Sequence, residues 1–162
     1  MRRYAVAFTG PSNSGKTTLI EKIAKKLIKT KKIAIIKHDP KDKAVFDIEG
    51  KDSFKFFKTG AEVIVTSPKR TTYLSNRPRE LEELIELFGD FDLLLVEGLK
   101  SIPLPRIAIF RGDIDSSYFN YSSAIAVDSS IDRNLLPDSI DILDLNDIDI
   151  IIEWIEKNAK EI

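Results

Sequence analysis

The feature that most constrains this chain is Gly10-Pro11-Ser12-Asn13-Ser14-Gly15-Lys16-Thr17-Thr18. It satisfies the phosphate-loop pattern G-x-x-x-x-G-K-[ST] in full. Its context agrees. Tyr4 to Phe8 is a short apolar, β-prone run that feeds the loop, and Leu19, Ile20, Ile23, Ala24, Leu27 and Ile28 follow at helical spacing. Strand, glycine loop and helix is the order such a loop requires. Gly10 and Gly15 permit conformations and close approaches that a side chain would block. N–H groups along Gly10, Ser12, Asn13, Ser14 and Gly15 then converge on an anion at the positive end of the helix. Lys16 places a cation on the terminal phosphates, and Thr17 offers a hydroxyl to Mg²⁺. Thr18, in the first helical turn, reaches a more proximal phosphate. The bland alternative is a chance glycine turn, but at average glycine usage a random chain of this length matches in roughly one case in two hundred.

At 162 residues the chain is expected to form one domain, residues 1–162. A hydrophobic content of 43% supplies a sizeable core. Lys+Arg 25 against Asp+Glu 26 gives a net charge of -1, which argues against nucleic acid or a membrane surface as partner. The absence of cysteine excludes disulfides, thiolate zinc sites and cysteine nucleophiles, and it fits a cytoplasmic setting. Met1-Arg2-Arg3 runs straight into the first strand with no signal-peptide apolar region, and no run reaches membrane-spanning length.

Ile33 to Ile36 is a continuous apolar run, as in a strand buried on both faces of a parallel sheet. It ends in Lys37-His38-Asp39-Pro40, on the sheet edge where ligands of open α/β folds sit. His38, the only histidine, is either structural or part of the site. Asp39 could hold Mg²⁺ directly or through water; Asp before Pro is also a common turn. Lys41 to Lys51 is a charged stretch that reads as a long loop. Asp52-Ser53 caps an expected short helix, Phe54 to Lys58, with Gly60 as its stop. Glu62 to Thr66 and Thr71 to Leu74 carry a hairpin signal, so the sheet is expected to be mainly parallel and partly mixed. Arg79 to Phe88 reads as an amphipathic helix. Strands are expected over Phe91 to Gly98, Arg106 to Phe110, Ser123 to Val127 and Ile140 to Leu143, with loop from Gly112 to Tyr121. Asn146 or Asp147 caps a final helix whose stripe is Ile148, Ile151, Ile152, Ile155 and Ala159.

A phosphate loop needs an acid to position Mg²⁺. Leu93-Leu94-Leu95-Val96-Glu97 is a buried strand ending in one, and Glu97 can bind the metal through water or orient an attacking water. Glu97 is therefore the candidate catalytic residue, and Thr17, Glu97 and Asp39 are the candidate metal ligands. No Asn-Lys-x-Asp base-recognition sequence is present. Asp128, at the end of Ala126-Val127, could accept hydrogen bonds from a guanine edge, and a surface turn would read the same way. The residues alone say purine triphosphate with Mg²⁺ and leave the purine open.

Four segments together resemble the molybdopterin-guanine dinucleotide biosynthesis adapter family (MobB). They are Gly10 to Thr18; Ile36-Lys37-His38-Asp39; Asp47-Ile48-Glu49-Gly50-Lys51-Asp52-Ser53 with Lys58-Thr59-Gly60-Ala61; and Leu95-Val96-Glu97-Gly98-Leu99-Lys100. The resemblance implies a phosphate-loop NTPase-like, three-layer α/β/α fold that includes the hairpin. It implies GTP and Mg²⁺ as cofactors and weak GTP hydrolysis. It implies a homodimer that assists the guanylyltransferase MobA, with molybdopterin as a further candidate partner. By the same resemblance His38, Asp39, Asp47, Lys51 and Asp52 lie around the site. Many members carry a second histidine soon after the Lys-His pair, where this chain has Asp39-Pro40-Lys41-Asp42. A small-molecule kinase using ATP is the competing reading. It needs an arginine-bearing lid, for which Arg70, Arg77, Arg79 and Arg111 are the possible sources. A third reading is a non-catalytic interaction module that binds GTP only to set its shape, with the hairpin and the Arg70-Arg77-Arg79 cluster as its partner surface.

Overall fold

The computed structural model describes residues 2–162. The chain folds as two compact units, Met1–His38 with Asp90–Ile162, and Asp39–Gly89.

The first unit is built on a seven-stranded sheet. Its strands are β1 (Tyr4–Thr9), β2 (Ile33–Lys37), β5 (Leu93–Glu97), β6 (Arg106–Phe110), β7 (Ala124–Val127), β8 (Asp141–Asp144) and the two-residue β9 (Lys160–Glu161). The order is β2-β5-β1-β6-β7-β8, all parallel. β6 engages β1 only over Ala7 to Thr9, which leaves the start of β1 open on that side. β9 pairs there antiparallel, Tyr4 with Glu161 and Ala5 with Lys160. The central strands are fully buried, with Ala5, Val6, Ala7, Phe8, Leu94, Leu95, Val96, Ile107 and Ile109 at 0% exposure. That burial explains why they read as unbroken apolar runs. Each large side chain so buried contributes roughly 1.5–3 kcal/mol.

Helices α1 (Lys16–Leu27) and α4 (Ile148–Asn158) share one core. α1 supplies Leu19, Ile20, Ile23 and Leu27, and α4 supplies Ile151, Ile152, Trp154 and Ile155. Trp154 packs in this core and its indole N–H donates to Asp141 at 2.8 Å. Asp147 caps α4 by accepting from Asp149 and Ile150 N–H. A second core forms on Ala108, Phe110, Ile125 and Val127. The stretch over Gly112 to Tyr121, expected as loop, contains a 3-10 helix at Ser116–Tyr121. Asp115 caps it, and Tyr118 and Phe119 meet the Phe110 ring edge-on at 6.0 and 6.1 Å.

The second unit holds α2 (Asp52–Phe57), the hairpin β3 (Val63–Thr66) and β4 (Thr71–Leu74), and α3 (Leu81–Phe88). The hairpin forms as expected, but as a separate two-stranded sheet. The main sheet is mixed through β9 instead. α2 begins at Asp52 with Lys51 at its N-cap, so Asp52 lies in the first turn rather than before it. α3 starts at Leu81, two positions after the expected Arg79, because Glu83 reaches back to the Glu80 N–H at 3.2 Å. Arg77 and Arg79 do not form a basic patch. Both pair with Glu62 and Glu83, at 2.8 to 3.7 Å.

Candidate functional site

The loop after β1 turns on three positive-φ residues, Gly10 (141°), Asn13 (63°) and Gly15 (99°). A Cβ at Gly10 would strike the Ile109 carbonyl oxygen of β6, so the strand contact demands glycine there. Gly15 is the left-handed N-cap of α1, whose first turn carries no acid. The positive end of the helix is therefore uncompensated and faces the loop. Ser14 is 4% exposed, yet its hydroxyl has no hydrogen-bond partner among the described residues. Lys16 folds back and donates to the carbonyls of Gly10 and Pro11 at 2.9 and 2.6 Å. Burial pushes its pKa below the ordinary lysine value; Glu97 opposes that shift, while Lys37 and Lys100 add to it.

Ser12, Asn13, Gly15, Lys16, Thr17 and Thr18 line one side of a cavity of about 490 Å³. Lys37, Glu97 and Arg111 complete it. The parallel topology explains the meeting, because the ends of β1, β2, β5 and β6 all lie on one edge. Phe8 and Lys37 are each in register with Glu97. Lys37 pairs with the Glu97 carboxylate at 3.1 Å. The turn after Glu97 is held by Arg106, 1% exposed, whose guanidinium donates to the carbonyls of Gly98 and Leu99 at 2.8 Å each. His38 is exposed, and its N–H donates to the Glu97 carbonyl at 3.0 Å. Its Cβ lies 3.1 Å from where a Cβ on Gly98 would stand, so His38 packs on the turn that follows Glu97.

On the β6 side, Arg111 approaches Gly15 and pairs with Asp128 at 2.9 Å. Ser130 donates to Asp128 from its N–H and its hydroxyl, and in turn accepts from the Gly112 N–H at 2.8 Å. These Ser130 bonds first, and Arg111 after them, hold the Asp128 carboxyl below the usual carboxylate range.

This geometry suits a phosphate-bearing ligand. The buried Ser14 hydroxyl lacks a partner among the described residues, the helix end is uncompensated, and Lys16, Lys37 and Arg111 line the cavity. No group of three or more acidic, histidine or cysteine side chains that could hold a metal ion is present among the described residues. Thr17 and Glu97, which both line the cavity, are the residues there that could hold a divalent ion.

A family model, molybdopterin guanine dinucleotide synthesis protein B (MobB), matches residues 5–130. The chain belongs to this family. The molybdopterin-guanine dinucleotide biosynthesis adapter protein of Haemophilus influenzae is 35% identical, over 93% of this chain and 86% of that one. The Escherichia coli protein of the same description is 33% identical, over 94% and 93%. The crystal structure of Bacillus subtilis MobB superposes with a TM-score of 0.76 at 25% identity, covering 97% of this chain and 98% of that one.

In this member of the MobB family the other expected site residues lie in the second unit. Asp39 commits its carboxylate to its own loop, accepting from the N–H groups of Lys43 and Ala44 at 2.7 Å and of Lys41 at 3.3 Å. Asp47 accepts from the Ile48 N–H and the Ser53 hydroxyl at 2.8 and 3.1 Å. Lys51 is exposed at the α2 N-cap, and Asp52 pairs with Lys55 at 3.6 Å. Two residues of the first unit's cavity, Lys37 and Arg111, are not among the site residues expected from the sequence. Lys37 stands beside the more conspicuous histidine. Arg111 enters the sequence reading only as a lid arginine; its position directly after an apolar strand is the available signal.

Among the described residues no helix is long and apolar enough to cross a membrane.

Proposed function

We propose that this member of the MobB family is a GTP-binding adapter that assists the guanylyltransferase MobA in forming molybdopterin guanine dinucleotide. In this reading it acts as a homodimer and hydrolyses GTP slowly. The observation that carries it is the convergence of Lys16, Thr17, Glu97 and Arg111 on one cavity in a chain of this family.

Each residue has a physical task. The loop N–H groups and the α1 end hold the phosphates. Lys16 leaves the Gly10 and Pro11 carbonyls and neutralises the terminal phosphate. Arg111, oriented by Asp128, adds a planar cation. With its carboxylate so engaged, Asp128 acts on Arg111 rather than reading the guanine directly. Thr17 and Glu97 would hold Mg²⁺, which would supply charge neutralisation at the phosphates. Glu97 also orients water. A single carboxylate already paired with Lys37 is a poor base, which accords with slow turnover.

Reconstitution tests this reading. MobA, molybdopterin, GTP and Mg²⁺ are combined with and without the chain, and dinucleotide formation is followed. Wild type should raise the yield and Lys16→Ala should not. Equal stimulation by both would remove nucleotide binding from the adapter role.

A further inference from the structure

The second unit contains a pocket of about 250 Å³ under the β3–β4 hairpin, lined by Phe46, Asp47, Arg70 and Thr72 among others. Two opposite charges share it without meeting. Asp47 Oδ1 is filled by Ile48 and Ser53, whereas Oδ2 is buried with no partner among the described residues. Arg70 has no ion pair among the described residues, while its neighbours Arg77 and Arg79 are both paired. Phe46, 84% exposed, offers an aromatic face at the same place.

A buried acceptor without a donor is costly. The missing group is therefore a donor, and a simple anion would be repelled by Asp47. A metal is disfavoured by a single carboxylate beside an arginine. What fits is a flat ring with N–H groups on one edge, an acceptor on another and a π-face. The volume lies near the lower end, about 300 Å³, of sites for small ligands, so it suits a ring rather than a whole dinucleotide.

We propose that this pocket binds a 2-amino-4-oxopyrimidine ring, the ring that pterins and guanine share. Its ring and amino N–H groups donate to Asp47 Oδ2, its oxo group accepts from Arg70 or Thr72, and Phe46 stacks on its face. Assigning the pterin as the source rests on the adapter reading above; the ring chemistry does not.

Pterin fluorescence provides the test. The full chain is titrated with 6-carboxypterin and with lumazine, whose C2 carries oxygen in place of the amino group. Guanosine is added as a competitor. Saturable pterin binding is expected, with lumazine weaker by about tenfold through the lost donor. Asp47→Asn should weaken pterin by a similar factor and abolish the preference over lumazine. Arg70→Ala, a surface change, should weaken both ligands and serves if Asp47→Asn fails to fold. Lys16→Ala should leave pterin binding intact, which separates this pocket from the nucleotide cavity. Guanosine weaker than pterin supports the pterin source; guanosine that displaces pterin at equal concentration overturns it. Absent pterin binding, unchanged binding in both pocket variants, or loss of binding in Lys16→Ala overturns the proposal.

Discussion

Lys37 and Glu97 occupy paired register positions on neighbouring parallel strands, and their side chains meet at 3.1 Å with Glu97 only 13% exposed. The carboxylate expected to serve the metal is thus neutralised before any metal arrives. A Mg²⁺ ion bound at Glu97 would have to compete with Lys37 for it. Glu97→Gln should keep GTP binding while lowering Mg²⁺-dependent hydrolysis by about tenfold or more. Lys37→Met should reduce the Mg²⁺ needed for half-maximal hydrolysis, at a stability cost of no more than about 1 kcal/mol. Phosphate release across a Mg²⁺ titration checks both. Wild-type behaviour in Glu97→Gln would make Glu97 a strand cap.

Burial lowers the pKa of Lys16 in the folded chain. Between that lowered value and the ordinary value of 10.5 the unfolded chain binds the extra proton. Stability of the nucleotide-free protein therefore rises with pH across that window and is lower beneath it. A polyphosphate favours the charged lysine, so GTP binding should take up a proton there and weaken as pH rises. Calorimetry in alkaline buffers of differing ionisation heat reads the proton count. Lys16→Met should show no such uptake, and a flat wild-type profile would count against the contact.

Arg106 is a cation buried to serve backbone carbonyls rather than an acid. Its pKa is lowered by that burial. Arg106→Met should leave the carbonyls of Gly98 and Leu99 unsatisfied and cost at least about 2 kcal/mol in urea unfolding. Hydrolysis should fall as well, because the turn after Glu97 loses its anchor. A stable variant of unchanged activity would show that the turn holds itself.

Arg111 lines the cavity and is held by Asp128 at 2.9 Å. Arg111→Ala should weaken GTP binding by about tenfold, through loss of charge-assisted contacts. Asp128→Asn should weaken it less, since the guanidinium stays but is less firmly held. Titration with GTP, GDP and guanosine locates the effect. An equal loss for GTP, GDP and guanosine would mean that Asp128 reads the base and Arg111 does not reach the phosphates.

The phosphate loop is legible in the sequence because its residues are contiguous and every position has a local reason. Glu97 is legible because an acid that ends a fully apolar strand is a local pattern too. Arg111 is hidden by topology, since nothing in its neighbours says that β6 lies beside β1. The pairing of Arg77 and Arg79 with Glu62 is hidden in the same way, so a run of arginines looks like a free patch. The hairpin is legible, but neither its standing as a separate sheet nor the two residues of β9 leave a local pattern to read. The placement of β9 follows from where β1 is left unpaired.

Calorimetric titration of the chain with GTP and with ATP, each with Mg²⁺ and with Lys16→Ala alongside, tests nucleotide binding at the phosphate loop. GTP should bind more tightly than ATP, and the variant should bind neither. Tighter binding of ATP, or wild-type GTP affinity in Lys16→Ala, would contradict the account.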